Sequence, residues 1–313
     1  AQLAEALVGA DIAVEVLFLQ DHGSHPLKQR LSTAGIKWSV LSGTLTSLLR
    51  RLKKDRPTIL HTHGYKSGIL GRVAARLQGI AVASTYHAGE IGRGRMSAYD
   101  FIDCWTGFLA HSRIAVSQAI AERIPSEAMV IDNFVRLPSS PSTGDQIAFV
   151  GRLSEEKAPD LFVELAARLP KEQFHIYGDG PMRDSLMDGA PANVIFHGVQ
   201  AEMESVWPRI GLLIMPSRHE GLPMAALEAM SHGIPVAASA VGGLPNLIAE
   251  QQNGYLYRVG DLDALENCIR AWRSNAETRS FLSANALNTI ETRFSPRAVL
   301  PKILDQYRQA AAA

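Results

Sequence analysis

Leu212-Leu213-Ile214-Met215-Pro216-Ser217-Arg218-His219-Glu220-Gly221-Leu222-Pro223-Met224-Ala225-Ala226-Leu227-Glu228 is the stretch that carries the architecture. Four apolar residues suited to a buried strand (212–215) give way to a polar turn. A run of helix formers then opens at about Pro223, whose fixed φ suits a first helical turn. A strand handed to a helix in this way is half of a βαβ unit. The amides of Gly221, Leu222, Met224 and Ala225 are expected to point outward at the positive end of the helix, as a cradle for an anion or a hydroxyl-rich ligand. Glu220 stands beside that cradle. Glu228 falls one turn further in, among apolar neighbours that predict burial on all sides, where a carboxylate needs a hydrogen-bonding partner. The plain structural readings are an acid favoured near a helix start for Glu220 and half of an internal salt bridge for Glu228.

The same alternation fills the chain. Residues 12–19, 38–41, 58–61 and 80–84, and later 146–150, 173–177, 194–196 and 235–238, read as strands separated by helical patterns. That predicts α/β units with mostly parallel sheets covered on both faces. The stretch Leu137-Pro138-Ser139-Ser140-Pro141-Ser142-Thr143-Gly144 reads as a linker. With 313 residues, the chain is expected to form an N-terminal domain at 1–138 and a C-terminal domain at 139–294, with a helix at 295–313 packing back on the first. Two doubly wound domains side by side present strand ends to a cleft, the usual ligand position. Residues 1–8 read as a helix, without the strand and glycine turn that usually open such a domain. A truncated start is expected.

Thirty-one Lys and Arg balance 31 Asp and Glu, so no global field argues for nucleic acid as a partner. Cys104 and Cys268 alone exclude a disulfide framework or a cysteine zinc site and suit a reducing compartment. No apolar run reaches the roughly 20 residues of a spanning helix, and the start lacks a signal pattern. A cytoplasmic protein is expected. The basic stretches Arg50-Arg51-Leu52-Lys53-Lys54-Asp55-Arg56 and Arg93-Gly94-Arg95-Met96 could meet anionic headgroups at the inner face of a membrane; a solvated helix face is the plainer reading.

Strand 146–150 ends in Gly151-Arg152-Leu153-Ser154-Glu155-Glu156-Lys157. Arg152 can contact phosphate bidentately and Lys157 adds a mobile point charge, a combination suited to a nucleoside diphosphate. The alternative is surface solvation, with Lys157 paired to Glu155 or Glu156. Gly178-Asp179-Gly180-Pro181 ends another strand, and Val241-Gly242-Gly243-Leu244-Pro245 offers amides to a pyrophosphate or simply makes a tight turn. His61 and His63 share a strand face, but no third ligand is evident and a metal site is rejected. Asp261-Leu262-Asp263 reads as a helix cap. No G-x-G-x-x-G with a distant acid follows a strand, which makes a dehydrogenase the least favoured reading.

As an ordered set, Gly151-Arg152-Leu153 with Lys157, Gly178-Asp179-Gly180-Pro181, the segment from Ser217 through Glu220 to Glu228, and Gly233-Ile234-Pro235-Val236 with Gly242-Gly243 resemble the retaining nucleotide-sugar glycosyltransferases of family 4. The resemblance implies GT-B architecture: two Rossmann-like domains facing a cleft, here with the first strand of the N-terminal domain missing. It implies a metal-independent retaining hexosyltransferase without cofactor, taking a nucleotide sugar as donor and a glycan or lipid-linked molecule as acceptor. By it Arg152 and Lys157 hold the donor diphosphate, Glu220 with Gly221, Leu222 and Met224 holds the transferred sugar, Glu228 takes the ribose hydroxyls, and Val199 lies near the base. His87, closing Thr85-Tyr86-His87, matches the histidine beside the anomeric centre, so His87 and Glu220 form the catalytic pair. Where the family usually has Lys-Gly, this chain has Lys157-Ala158. A nucleotide-sugar epimerase of the same architecture and a catalytically silent nucleotide-sugar-binding fragment are the rival readings.

Overall fold

The chain divides into two compact units, one of Ala1–Asn133 with Pro296–Ala313 and one of Phe134–Ser295. A computed structural model describes residues 1–21, 23, 26–87, 95–138 and 140–313; Arg93 and Gly94 lie outside them. The division falls a few residues before the Pro- and Ser-rich linker. Phe134 and Val135 are both buried, and the Val135 amide donates to the Phe294 carbonyl at 2.9 Å. Apolar side chains thus draw the segment just before the predicted linker into the second unit.

In the first unit β1 (Glu15–Phe18) pairs in parallel with β2 (Lys37–Val40). Strands β3 (Ile59–His63), β4 (Ala81–Tyr86), β5 (Ser112–Ala115) and β6 (Met129–Val130) form a separate parallel sheet in that order. The two sheets share one apolar cluster: Leu17, Leu19 and Leu41 meet Leu60 over Leu48, Leu52, Ala74 and Ala75 of helices Leu45–Asp55 and Tyr65–Gln78. Among the described residues, β1 and β3 each pair along one edge only. Helix Pro296–Ala312 belongs to this unit through specific bonds. The Ser112 hydroxyl donates to Gln306 Oε1 at 2.8 Å. His61 bridges strand and helix, with Nδ1 2.6 Å from the Tyr307 hydroxyl and Nε2 2.6 Å from Thr85 Oγ1.

The second unit holds β7 (Gln146–Val150), β8 (Phe174–Tyr177), β9 (Val194–Gly198), β10 (Ile210–Met215), β11 (Val236–Ser239) and β12 (Gly254–Tyr257). Their spatial order is β12-β11-β10-β7-β8-β9, all parallel. The chain enters at the centre, winds outward through β8 and β9, then returns to build the other half from β10. Strand order therefore reverses between β7 and β10, the position where open α/β sheets bind ligands. Apolar cores cover both faces, with Trp207, Met230 and Phe294 on one and Phe162, Phe174 and Trp272 on the other. Strands β5, β6 and β12 escaped the sequence reading: β5 opens on polar Ser112 and Arg113, β6 has two residues, and β12 reads Gly-Tyr-Leu-Tyr rather than an aliphatic run.

Two consequences can be measured. Removal from water lowers His61 from 6.5 to about 3, with His87 as a lesser cause. The unfolded chain binds a proton below 6.5 that the folded state refuses, so stability is full above 6.5 and declines as pH falls toward 3. Chemical denaturation of wild type should lose stability on going from pH 7 to pH 5, and His61→Gln should flatten that slope. Gly178 has φ 145°, and a Cβ there would lie 1.9 Å from the Gly151 carbonyl oxygen. Gly178→Ala should cost about 3 kcal/mol in the same measurement.

Candidate functional site

The turns that follow β7 and β10 are joined side chain to side chain. Lys157 Nζ lies 2.7 Å from Glu220 Oε2, and the Ser217 hydroxyl donates to Glu220 Oε1 at 2.7 Å. Both carboxylate oxygens of this acid, whose side chain is 2% exposed, are therefore engaged. A second link runs parallel: Arg218 meets Asp160 through two nitrogens at 3.0 and 2.6 Å, and its amide donates to the Glu156 carbonyl at 2.8 Å. Lys157 thus spans to Glu220 across the two turns, while Glu156 accepts from Ser154. Arg152 is exposed at the end of β7, and among the described residues it makes no ion pair.

Pro223 is the residue before the helix, with φ −72° and ψ 130°, and the helix itself is Met224–Ser231. The sequence reading began it one residue early because proline's φ suits both positions. The amides of Met224 and Ala225 lie in the first turn and have no acceptor within the helix. Ala226, Leu227, Ala229 and Met230 are buried, whereas Met224, Ala225 and Glu228 are only partly so. The expectation that Glu228 is enclosed on all sides is corrected: it shares one open stripe, at three- and four-residue spacing, with the helix start.

The glycine turns act mainly by close packing. The Gly243 amide donates to the Gly221 carbonyl at 2.6 Å, so it is not free for a pyrophosphate, as the sequence had suggested. A Cβ on Gly242 would lie 2.0 Å from the Glu220 carbonyl oxygen, and one on Gly180 2.4 Å from that of Leu153. Leu153 also takes the Asp179 carbonyl at 2.9 Å. These contacts press the neighbouring turns against the turn carrying Arg152 and the loop carrying Glu220. Ala158 sits in the same region with φ 52° and ψ 48°, fully buried, in the left-handed conformation that normally selects glycine. Val199 follows β9 and is 72% exposed. Asp261 caps its helix, accepting from the Ala264 amide at 3.0 Å.

His87 lies in the first unit, at the end of β4, so the catalytic pair inferred from sequence is carried by two different units. Its Nε2 is 2.8 Å from His63 Nδ1, with the rings stacked at 5.2 Å. His63 packs in turn on His61 at 4.2 Å. Both strand-end rings keep exposed faces, yet protein atoms crowd them. Removal from water holds His87 below its ordinary value against an opposing bond to Asn133, and His63 lies well below it for the same first cause, then the neighbouring rings. Ser217 and His63 were not singled out as partners beforehand: His63 meets His87 only through strand pairing, whereas Ser217 lies three residues before Glu220, a local spacing that could have shown it. Among the described residues no group of three or more His, Cys, Asp or Glu is placed to hold a metal ion.

Comparison with known proteins agrees with this geometry. The family model described as glycosyl transferases group 1 matches residues 144–275, and that of Glycosyltransferase Family 4 matches residues 1–136. The Escherichia coli UDP-Gal:alpha-D-GlcNAc-diphosphoundecaprenol alpha-1,3-galactosyltransferase is 26% identical over 84% of this chain and 78% of its own length. The Arabidopsis thaliana sulfoquinovosyl transferase SQD2 is 30% identical over 62% of this chain. The chain spans only 38% of that relative's length. In fold, Anabaena Alr3699/HepE, solved with UDP and glucose, matches with a TM-score of 0.83 at 18% identity, covering 98% of this chain and 94% of its own. The sucrose-phosphate synthase of Thermosynechococcus elongatus matches at 0.79 and 19% identity, covering 99% and 92%. With adjoining family models over both halves, a doubly wound second unit and ordered turns at its switch point, the chain belongs to the family 4 glycosyltransferases, nucleotide-sugar-dependent transferases of GT-B architecture.

Proposed function

We propose that the chain moves a hexose-type sugar from a nucleoside diphosphate donor to a glycan or lipid-linked acceptor, with retention of anomeric configuration and without a resident metal. The observation that carries this reading is the Lys157–Glu220 ion pair beside exposed Arg152 at the switch point. A diphosphate entering there competes for the Lys157 ammonium. As Lys157 turns to phosphate, Glu220 is released to accept hydrogen bonds from sugar hydroxyls, with the amides of Gly221, Leu222 and Met224 alongside. Breaking the glycosidic bond leaves negative charge on the diphosphate, and Arg152, Lys157 and the helix amides are fixed positive groups to receive it. Glu228, on the same open stripe, is assigned the ribose hydroxyls, and Val199 the edge of the base. His87, neutral because its pKa is depressed, is assigned to orient the acceptor or stabilise charge on the sugar.

The E. coli relative, by its name, uses UDP-galactose on a diphosphoundecaprenol-linked sugar, and the Anabaena structure holds UDP and glucose. Both support a uridine nucleotide donor, and the first supports a lipid-linked acceptor; the reading extends this to polysaccharide assembly at the cytoplasmic side. No described helix is long and apolar enough to cross a membrane.

Screening UDP-, GDP- and ADP-sugars with lipid-linked acceptors for nucleotide release, with NMR of the product's anomeric proton, tests the reading. Inverted product, or isomerised donor without transfer, overturns it, and loss of turnover with chelator overturns the metal-free part. Arg152→Ala should lower kcat/KM by about a hundred- to a thousandfold. Glu228→Ala should raise the donor KM by about ten- to a hundredfold while sparing kcat. Because His87 is held below 6.5, kcat/KM should persist as pH falls through 6.5, and His87→Asn should reduce rate at every pH.

A further inference from the structure

Helix Arg95–Trp105 and the turn Thr106–Leu109 are built with their acids inward and aromatics outward. Asp100 and Asp103 are 8% and 5% exposed. Asp103 accepts from the fully buried Arg72 at 2.7 Å, and Asp100 pairs with Arg123. Gly107 lies on the same inner side, against Tyr86 and Ile124. Phe101, Ile102, Trp105 and Phe108 are 67%, 43%, 60% and 57% exposed. Spacings of three, four and seven residues align Phe101, Trp105 and Phe108 as one stripe, and Trp105 meets Phe108 edge to face at 6.2 Å. A water-facing helix is ordinarily the reverse of this, and contiguous apolar surface on such a face marks an interaction site.

We infer that this stripe docks on a lipid bilayer bearing anionic headgroups. The helix turns its two acids away from the exposed side, so among the described residues no carboxylate of this helix repels an anionic surface. Its composition, Trp and Phe with an aliphatic residue, is that of interfacial anchors. Two arginines stand at its end. Arg76 is exposed and reaches the Leu109 carbonyl with Nε at 2.8 Å, which anchors its guanidinium at the end of the stripe. Arg113 holds the Ala110 carbonyl at 2.7 Å beside it. By contrast, Arg51 in the basic segment noted in the sequence is occupied by Glu15 and Asp55. The inference stands apart from the transfer reaction, although a membrane-resident acceptor would profit from it.

Flotation of the full chain with phosphatidylcholine vesicles, alone or with added phosphatidylglycerol, tests it. The wild type should float with the anionic vesicles and release at high salt. Trp105→Ser with Phe108→Ser should reduce the bound fraction about tenfold, and Arg76→Gln should weaken binding to anionic vesicles only. Brominated lipid should quench the wild type, and Trp105→Phe should remove that quenching, because Trp207 and Trp272 are buried and half-buried Trp38 is left in place as the control; this readout holds even if the double variant folds poorly. A wild type that stays unbound, or shows no quenching, overturns the inference. So does a dimer in sedimentation velocity that the double variant dissociates without any vesicle binding, which would assign the stripe to a second copy.

Discussion

A carboxylate taken out of water costs several kcal/mol unless its oxygens are bonded, and Glu220 meets that demand with Lys157 on one oxygen and Ser217 on the other. The requirement can be met only if the turn after β7 and the turn after β10 stand side by side. They do so because the winding order of the second unit puts those two strands next to each other. One ion pair therefore reports the register of the sheet, the closure of the switch point and the position of the cations at its mouth. It is also the contact a diphosphate would disturb first, which links the ligand-free arrangement to the proposed reaction.

The surrounding backbone leaves these turns little freedom. Gly178 and Gly180 lie against Gly151 and Leu153, and Gly242 against Glu220, at separations no side chain could enter. The glycines were read in the sequence as partly anion-binding. Their evident physical role is to let one strand-end turn rest on the next, so that groups from four strands are held against one another. Preorganisation of this kind is what an electrostatic catalyst needs, since fixed dipoles and charges need not reorient when charge develops.

Much of the fold was legible because the relevant signals are local. Apolar runs of four or five residues, punctuated by Gly and Pro, announced most strands, and the strand-to-helix handover at 212–228 announced a helix N-terminus beside two acids. What the sequence withheld depends on residues far apart in the chain. Nothing local says that Lys157 reaches Glu220, that the Gly243 amide is taken by Gly221, or that His63 bonds to His87. Helix Arg95–Trp105 was opaque for another reason. Its acids and aromatics interleave at helical spacing, so periodicity defines two faces without saying which turns inward; the buried Arg72 decides.

Ala158 occupies a left-handed backbone conformation within the core. Alanine visits that region less readily than glycine by about 1 kcal/mol, and its unfolded chain also samples fewer states. The loop between Arg152 and Lys157 is consequently committed to its shape when the protein folds, and less ordering is left for the moment a ligand arrives. Such a loop trades adaptability for readiness, and favours discrimination among donors by fit over accommodation of many.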